Sequence, residues 1–452
     1  MMNNLKIGYA ECNVNPPLGY PLHGYYMERL GSGFIDDLKA SAIAVSDGEK
    51  TALIISADNG GFKQTVIRRF AESITSVTRV PADAIFISAT HSHTSPSTFY
   101  PEFFDASEED INAYIDFLAE RLAEISALAI GDLTPAMAGY GIGYAPDRVS
   151  YIRRYRMKDG TTCTCPPIDD PNIDHPIGEL DRRVNVVRFK REGKEDVVIL
   201  SYGVHADTVN GDAYSSDWIG PCRDTVARAL DGAKCVCIMG AQGDVGSTNV
   251  HPIPGDMNDT EISFDNEMKS PGMARFVGRA LAGVVLQVFD KVAFFDTESI
   301  SFVREGVPVR MNVPKKEELP LARKYKELYD SGRSDEIPYM GMELTTVVAE
   351  ALRICKMEND PEYTTLNLSA LRIGEVGFVT IPGEPFTDIG VEIKKCEGYG
   401  VILPCAITNG YEGYFPSPSA FAEGGYEART SPYKDDIAER IVTSAKKLLE
   451  SL

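Results

Sequence analysis

Residues 81–93 read PADAIFISATHSH. The apolar run inside it is short, branched and aromatic, and it reads as a buried strand that ends at His91. Just upstream, Lys63 to about Ser76 has the spacing of a helix, so strand and helix alternate here. Further back, KASAIAVS (39–46) and TALIISADNG (51–60) are two apolar runs separated by the turn-like DGEK, as in a hairpin or a neighbouring strand pair.

The same alternation continues downstream. From about Ser107 to Leu128 the chain predicts an acid-led amphipathic helix, with Glu108, Glu109 and Asp110 near its start. AMAGYGIGYAP (136–146) is too rich in glycine for a helix interior and is expected to approach another backbone closely. TTCTCPPIDDPNIDHPIGE (161–179) reads as a loop broken by four prolines. RVNVVRF (183–189) and DVVILSYGV (196–204) are strand candidates, the second ending at His205. A short helix over 222–230 and a buried strand in AKCVCIMGAQGD (233–244) follow. A helix over about 273–289 is apolar all round and predicts burial on both sides. Residues 317–333 form a charged helical excursion, NLSALRIG and VGFVTIPGE are strands, and an amphipathic helix over about 435–452 ends the sequence. No solenoid repeat or low-complexity linker divides the chain, so residues 1–452 are expected to form one large α/β catalytic domain.

With 43% hydrophobic and 25% charged residues, composition excludes collagen, coiled coil and wholesale disorder. A formal charge of −21 makes nucleic acid and anionic lipid poor partners at long range. The N-terminal MMNNLKIGYA has no apolar run behind a basic region, and the apolar stretches are too short or interrupted to span a bilayer. A soluble, cytoplasmic protein without stable membrane insertion is therefore expected. Nine cysteines cannot all pair within the chain, and free thiols are the simpler reading. Cys235 and Cys237 sit in an apolar run, where buried structural thiols suffice.

Six histidines occur, at 23, 91, 93, 175, 205 and 251, and three lie at the ends of apolar strands. In α/β folds such ends carry the chemistry. His91 and His93 form an H-x-H pair, His205 comes from a second strand, and Glu384 ends VGFVTIPGE behind a Pro-Gly turn. Two imidazoles and a carboxylate suit a catalytic zinc that keeps a position open for water or substrate. GYGIGYA follows no clean strand and opens no helix, so a dinucleotide site is disfavoured.

The ordered set ATHSH, YGVH, QGDVG, PGE and N-x-Y-x-x-Y resembles the catalytic domain of the neutral/alkaline non-lysosomal ceramidase family, over most of residues 5–440. Members of that family are zinc-dependent amidases that cleave the N-acyl bond of ceramide. The resemblance implies a mixed central β-sheet flanked by helices, Zn2+ as cofactor, and His91, His205, Glu384 and Tyr414 as metal ligands, with Tyr411 the near competitor of Tyr414. It places His93 beside the metal and Arg148 at substrate. An imidazole there is expected to serve as acid/base, and Asp244 either to orient the turn or simply to cap the next segment. The departure with chemical weight is GAQGDVGSTN: the family has its serine nucleophile where Gly246 stands, and Ser247 follows one residue late. YEART also departs from the family's Y-E-x-x-S-T, with Arg429 in place of serine. No counterpart of the family's immunoglobulin-like C-terminal domain of roughly 100 residues follows the last helix. These departures lead to the expectation of a zinc hydrolase of a small soluble acyl substrate, an amide or ester, attacked by metal-activated water. The alternatives are a true ceramidase using Ser247 and a degenerate relative that binds a metal or metabolite without turnover.

Overall fold

Strands that are apolar along their whole length pair into a nine-stranded mixed sheet. Its order from one edge is Lys234–Met239, Val197–Tyr202, Arg183–Arg191, Thr134–Tyr144, Lys6–Asn13, Lys39–Ser46, Thr51–Ala57 and Ile85–Ala89, with Ala293–Phe295 added against Thr134–Tyr144. The structure, a computed structural model, describes residues 4–99, 107–256, 269–297 and 299–452. The Lys39–Ser46 and Thr51–Ala57 strands are the expected antiparallel pair. At both sheet edges the pairing turns parallel: Thr51–Ala57 with Ile85–Ala89, and Val197–Tyr202 with Lys234–Met239. These four strands are buried nearly end to end, as parallel strands covered on both faces must be.

A second sheet of four strands runs Ile300–Arg310, Tyr363–Ile373, Val376–Ile381 and Val401–Ala406, and its last pair is again parallel. A parallel pair needs a crossover, and here each crossover carries a helix. The helices are Gln64–Thr78, Ile219–Ala229 and Thr387–Ile393, so the fold contains three βαβ units. One continuous core joins the sheets, running from Ile7 and Leu53 through Ile199 to Phe378 and Leu403.

Local chemistry sets the helix ends. Ser107 accepts from the Asp110 amide at 3.1 Å, with Glu108, Glu109 and Asp110 in the first turn of Glu108–Gly131. Ser270 does the same for Met273 at 3.1 Å ahead of Pro271, opening Pro271–Phe289. That helix is the one described helix long and apolar enough to cross a membrane. Val277, Leu281 and Val285 on it are fully buried in the core. The glycines of 136–146 explain its seat. They lie in the strand Thr134–Tyr144 at alternate positions, and a Cβ at Gly143 would stand 2.3 Å from Val284, at Gly141 3.3 Å from Val288, and at Gly139 2.9 Å from Phe294. The expected close approach is thus to side chains of a helix and of an added strand and, at Gly139, also to backbone, the Ala293 carbonyl oxygen lying 3.2 Å from such a Cβ.

One expectation is corrected: the proline-rich 161–179 segment contributes the strands Thr162–Thr164 and Ile173–Pro176, which flank Arg154–Met157 in a three-stranded sheet. The helix expected in the 317–333 excursion is present as Leu319–Asp330, and it pairs with a second helix, Gly341–Lys356. Arg429, the departure in YEART, bonds Glu343 at 2.7 Å and Glu350 at 2.6 Å on the second of these helices.

Candidate active site

Each βαβ unit ends its strands at the same place. Ile85–Ala89 leads to His91 and His93, Val197–Tyr202 to His205, Lys234–Met239 to the QGD turn, Val376–Ile381 to Glu384, and Val401–Ala406 to Asn409, Tyr411 and Tyr414. Short backbone bonds tie these loops together: Ala89 N to Ile407 O at 3.1 Å, Asn409 N to Ile87 O at 2.8 Å, His205 N to Val245 O at 3.2 Å, and Gly243 N to Pro385 O at 2.9 Å. Glycine permits two of the approaches. A Cβ at Gly203 would lie 2.1 Å from the Ala241 carbonyl oxygen, and one at Gly383 would lie 2.3 Å from that of Gly413. His91 itself sits at φ 59°, a left-handed conformation costly for a side-chain-bearing residue and tolerated where surrounding bonds enforce it. Here its amide donates to Asn59 O at 2.9 Å.

The imidazoles are oriented from behind. His91 Nδ1 lies 2.5 Å from Gly60 O, and His205 Nδ1 lies 2.9 Å from Gln242 O and 3.0 Å from Val245 O. Carbonyls only accept, so each Nδ1 carries the proton and each Nε2 presents its lone pair. Both Nε2 atoms face one oxygen, Glu384 Oε2, at 3.4 Å from His91 and 2.9 Å from His205. Tyr411 donates to the other carboxylate oxygen, Oε1, at 2.8 Å. Glu384 is wholly buried, and among the described residues neither its Oε2 nor His91 Nε2 has a hydrogen-bond partner.

Burial pushes the Glu384 carboxyl up, but the positive charges of His91 and His205 outweigh it and hold the group well below its usual range. Burial pushes His91 down, yet Glu384 and the Gly60 carbonyl lift it above the ordinary histidine value. His205 falls below that value through burial and the Arg153 charge. Donors about 2.0–2.2 Å from a tetrahedral ion are roughly 3.3 Å apart, so the lone pairs and Oε2 are spaced for one cation. Atoms of His91, His93 and His205 also lie within 4.8 Å of one another. This buried group fits a metal ion.

His93 stands beside it. Its Nδ1 faces Asp207 Oδ1 at 3.5 Å, and both ring nitrogens are buried without a hydrogen-bond partner among the described residues. Burial and then the neighbouring histidines hold its pKa well below the ordinary value, so the ring is neutral. Asp207 accepts from the Tyr25 hydroxyl at 2.8 Å and from Lys269 Nζ at 2.9 Å. Glu384 and Tyr414 are register partners in a two-residue parallel bridge, which sets Tyr414 next to the carboxylate. The Tyr414 phenol accepts from Arg153 at 3.0 Å. Arg153 also donates to Glu427 at 2.7 Å and to Gly243 O at 2.8 Å, and reaches His205 Nε2 at 3.3 Å.

Asp244 is buried and accepts from the Thr387 amide and hydroxyl, both at 2.8 Å. It thereby caps the helix that follows Glu384, and burial, opposed by these bonds, raises its carboxyl to about 6. Arg148 forms its ion pair with Asp256, while the arginine that reaches the histidines is Arg153. Ser247 is buried, and a Cβ at Gly246 would point to Arg153, 3.7 Å from its Cβ.

Sequence reasoning missed Arg153, Asp207, Glu427 and His23. His23 is in the GYPLHGY loop, its ring 5.6 Å from that of His91 and 5.7 Å from Tyr411. Arg29 holds that loop down by donating to His23 O and His93 O, each at 2.5 Å. Burial and the His91 charge drop the pKa of His23 to about 3. The only linear signal was a histidine among Gly, Pro and Tyr.

Three βαβ strand ends gathered around a buried histidine–carboxylate centre define an α/β protein with a metal-type site. No protein-family profile matches the chain, and no curated protein does. Solved structures do. Neutral ceramidase from Pseudomonas aeruginosa superposes with a TM-score of 0.70 at 16% identity, over 98% of this chain and 74% of that one. A ceramidase complexed with C2 gives 0.71 at 16% identity, over 99% and 76%. The chain has the neutral-ceramidase fold.

Proposed function

We propose that this chain is a zinc-dependent hydrolase that cleaves the amide, or an ester, of a small soluble acyl compound, with water as nucleophile. The observation that carries the reading is the pair of Nε2 lone pairs, fixed by backbone carbonyls, that share Glu384 Oε2. His91, His205 and Glu384 would hold the ion, with Tyr414 beside them as the fourth group. A bound zinc would supply Lewis acidity, acidifying a water molecule and polarising the acyl oxygen.

The chain's own groups do the rest. Neutral His93, with Nδ1 turned to Asp207, accepts a proton at Nε2 as water attacks and returns it to the leaving nitrogen or oxygen. Arg153 holds the Tyr414 phenol and adds positive charge beside the developing oxyanion. Gly246, where the related family has serine, supplies no nucleophile. The solved relatives are ceramidases. Their fold supports acyl hydrolysis, and the departure at Gly246 supports a different attacking group.

A panel of short N-acyl amines, N-acyl amino acids, lactones and long-chain ceramide, assayed with zinc-loaded protein, tests this. Turnover of a short substrate is expected, with Ser247→Ala keeping most of kcat and His93→Ala losing roughly 10² to 10⁴ while retaining metal. Preference for long-chain ceramide by orders of magnitude in kcat/KM, with an acyl group trapped on Ser247, would overturn substrate class and mechanism together.

A further inference from the structure

The sequence placed Cys235 and Cys237 in an apolar strand as structural thiols. The fold adds a third partner from 13 residues upstream of Cys235, and with it a different reading. Cys235 and Cys237 are two apart on Lys234–Met239, so their side chains leave the same face of the sheet. The crossover helix Ile219–Ala229 lies over that face and contributes Cys222 from its first turn. The three sulfur atoms lie within 4.8 Å of one another, and all three residues are buried. None is in a disulfide.

We propose that Cys222, Cys235 and Cys237 form a second metal site, one for a soft monovalent cation such as Cu(I). Two chemical features select that class. All donors are sulfur, which binds d10 thiophilic ions and not Mg2+ or Ca2+. Among the described residues the group brings together three cysteines, whereas structural zinc takes four ligands. Arg223, the next residue after Cys222, brings a half-buried guanidinium that is clamped by Asp58 at 2.6 and 3.2 Å. Binding exchanges thiol protons for the ion, and no electron transfer is involved.

The site is separate from the histidine centre in its ligands but adjoins its scaffold: Asp58 immediately precedes Asn59 and Gly60, whose carbonyls hold His91. The experiment uses the full-length chain, reduced, stripped of metal and kept anaerobic. Cu(I) is added as its acetonitrile complex in competition with a chromophoric chelator. One equivalent is expected to bind with sulfur-to-copper charge-transfer absorption in the ultraviolet. Cys222→Ser and Cys235→Ala should each weaken that binding at least tenfold, whereas Cys163→Ser combined with Cys165→Ser should leave it unchanged. As a readout that needs no variant, the unaltered protein is alkylated in partial denaturant with and without Cu(I), and the modified cysteines are mapped by mass spectrometry. Protection of Cys222, Cys235 and Cys237 together is expected. No charge-transfer band, a band that survives the triad substitutions, or protection confined to other cysteines would each overturn the proposal.

Discussion

Replacing Tyr411 with phenylalanine isolates one bond at the centre. The phenol donates to Glu384 Oε1 at 2.8 Å, while its ring packs 5.2 Å from His91, 5.7 Å from His23 and 5.4 Å from Phe99. Phenylalanine keeps those ring contacts and deletes the hydroxyl alone. A hydrogen bond to a charged group contributes about 1.5–3 kcal/mol, and the bond also fixes which oxygen of Glu384 faces the imidazoles. If Glu384 is a ligand held by Tyr411, Tyr411→Phe weakens zinc affinity roughly 10- to 100-fold, the range found for outer partners of metal ligands. The assay is competition with a chelator of known affinity, with thermal melts of the metal-free proteins to check the fold. A change below about threefold in an intact variant would refute the reasoning. Complete loss of stoichiometric metal would refute it as well, because Tyr411 would then itself be the ligand.

His205→Ala removes a ligand whose Nδ1 is fixed by two carbonyls, so zinc content measured by elemental analysis falls to background and activity goes with it. Asp244→Asn tests a buried carboxyl raised from 3.8 to about 6. The folded state holds this proton to higher pH than the unfolded chain, so ionisation costs stability as pH rises from about 4 through 6 and the full cost, up to about 3 kcal/mol, is present above 6. Relative to the parent, the Asn variant should therefore gain stability between about pH 4 and 8 in denaturant titrations; a difference independent of pH would contradict this. Gly203→Ala puts a Cβ 2.1 Å from the Ala241 carbonyl oxygen, backbone against backbone, and should cost at least about 1–3 kcal/mol in a urea melt. An unchanged midpoint would mean that these strand ends do not approach as closely as described.

The alternation of apolar strands and amphipathic helices, and the candidate side chains at strand ends, were legible because both are local. Period, turn residues and caps act over a few positions, and His91, His205 and Glu384 each follow an apolar run by one to three residues. Where those runs point is a different matter. Whether two strands pair parallel depends on the crossover between them, and three such pairs aim their ends at one place only after two sheets have packed. Arg153 meets Glu427 274 positions away, and Tyr25 meets Asp207 182 positions away. No periodicity records such contacts. The resemblance in sequence implied Tyr414 as a metal ligand with Tyr411 its near competitor; the fold bonds the Tyr411 hydroxyl to Glu384 and the Tyr414 phenol to Arg153, contacts that no local pattern records. Likewise the glycines of 136–146 announced a close approach in the sequence, while what approaches was decided by a helix more than a hundred residues later in the chain. Sequence by itself determined that candidate histidines and a carboxylate stand at strand ends. Tertiary packing decided which of them come together, which neighbours hold them in place, and that Cys222 joins two cysteines of a neighbouring strand, since those relations arise only when distant segments are buried against each other.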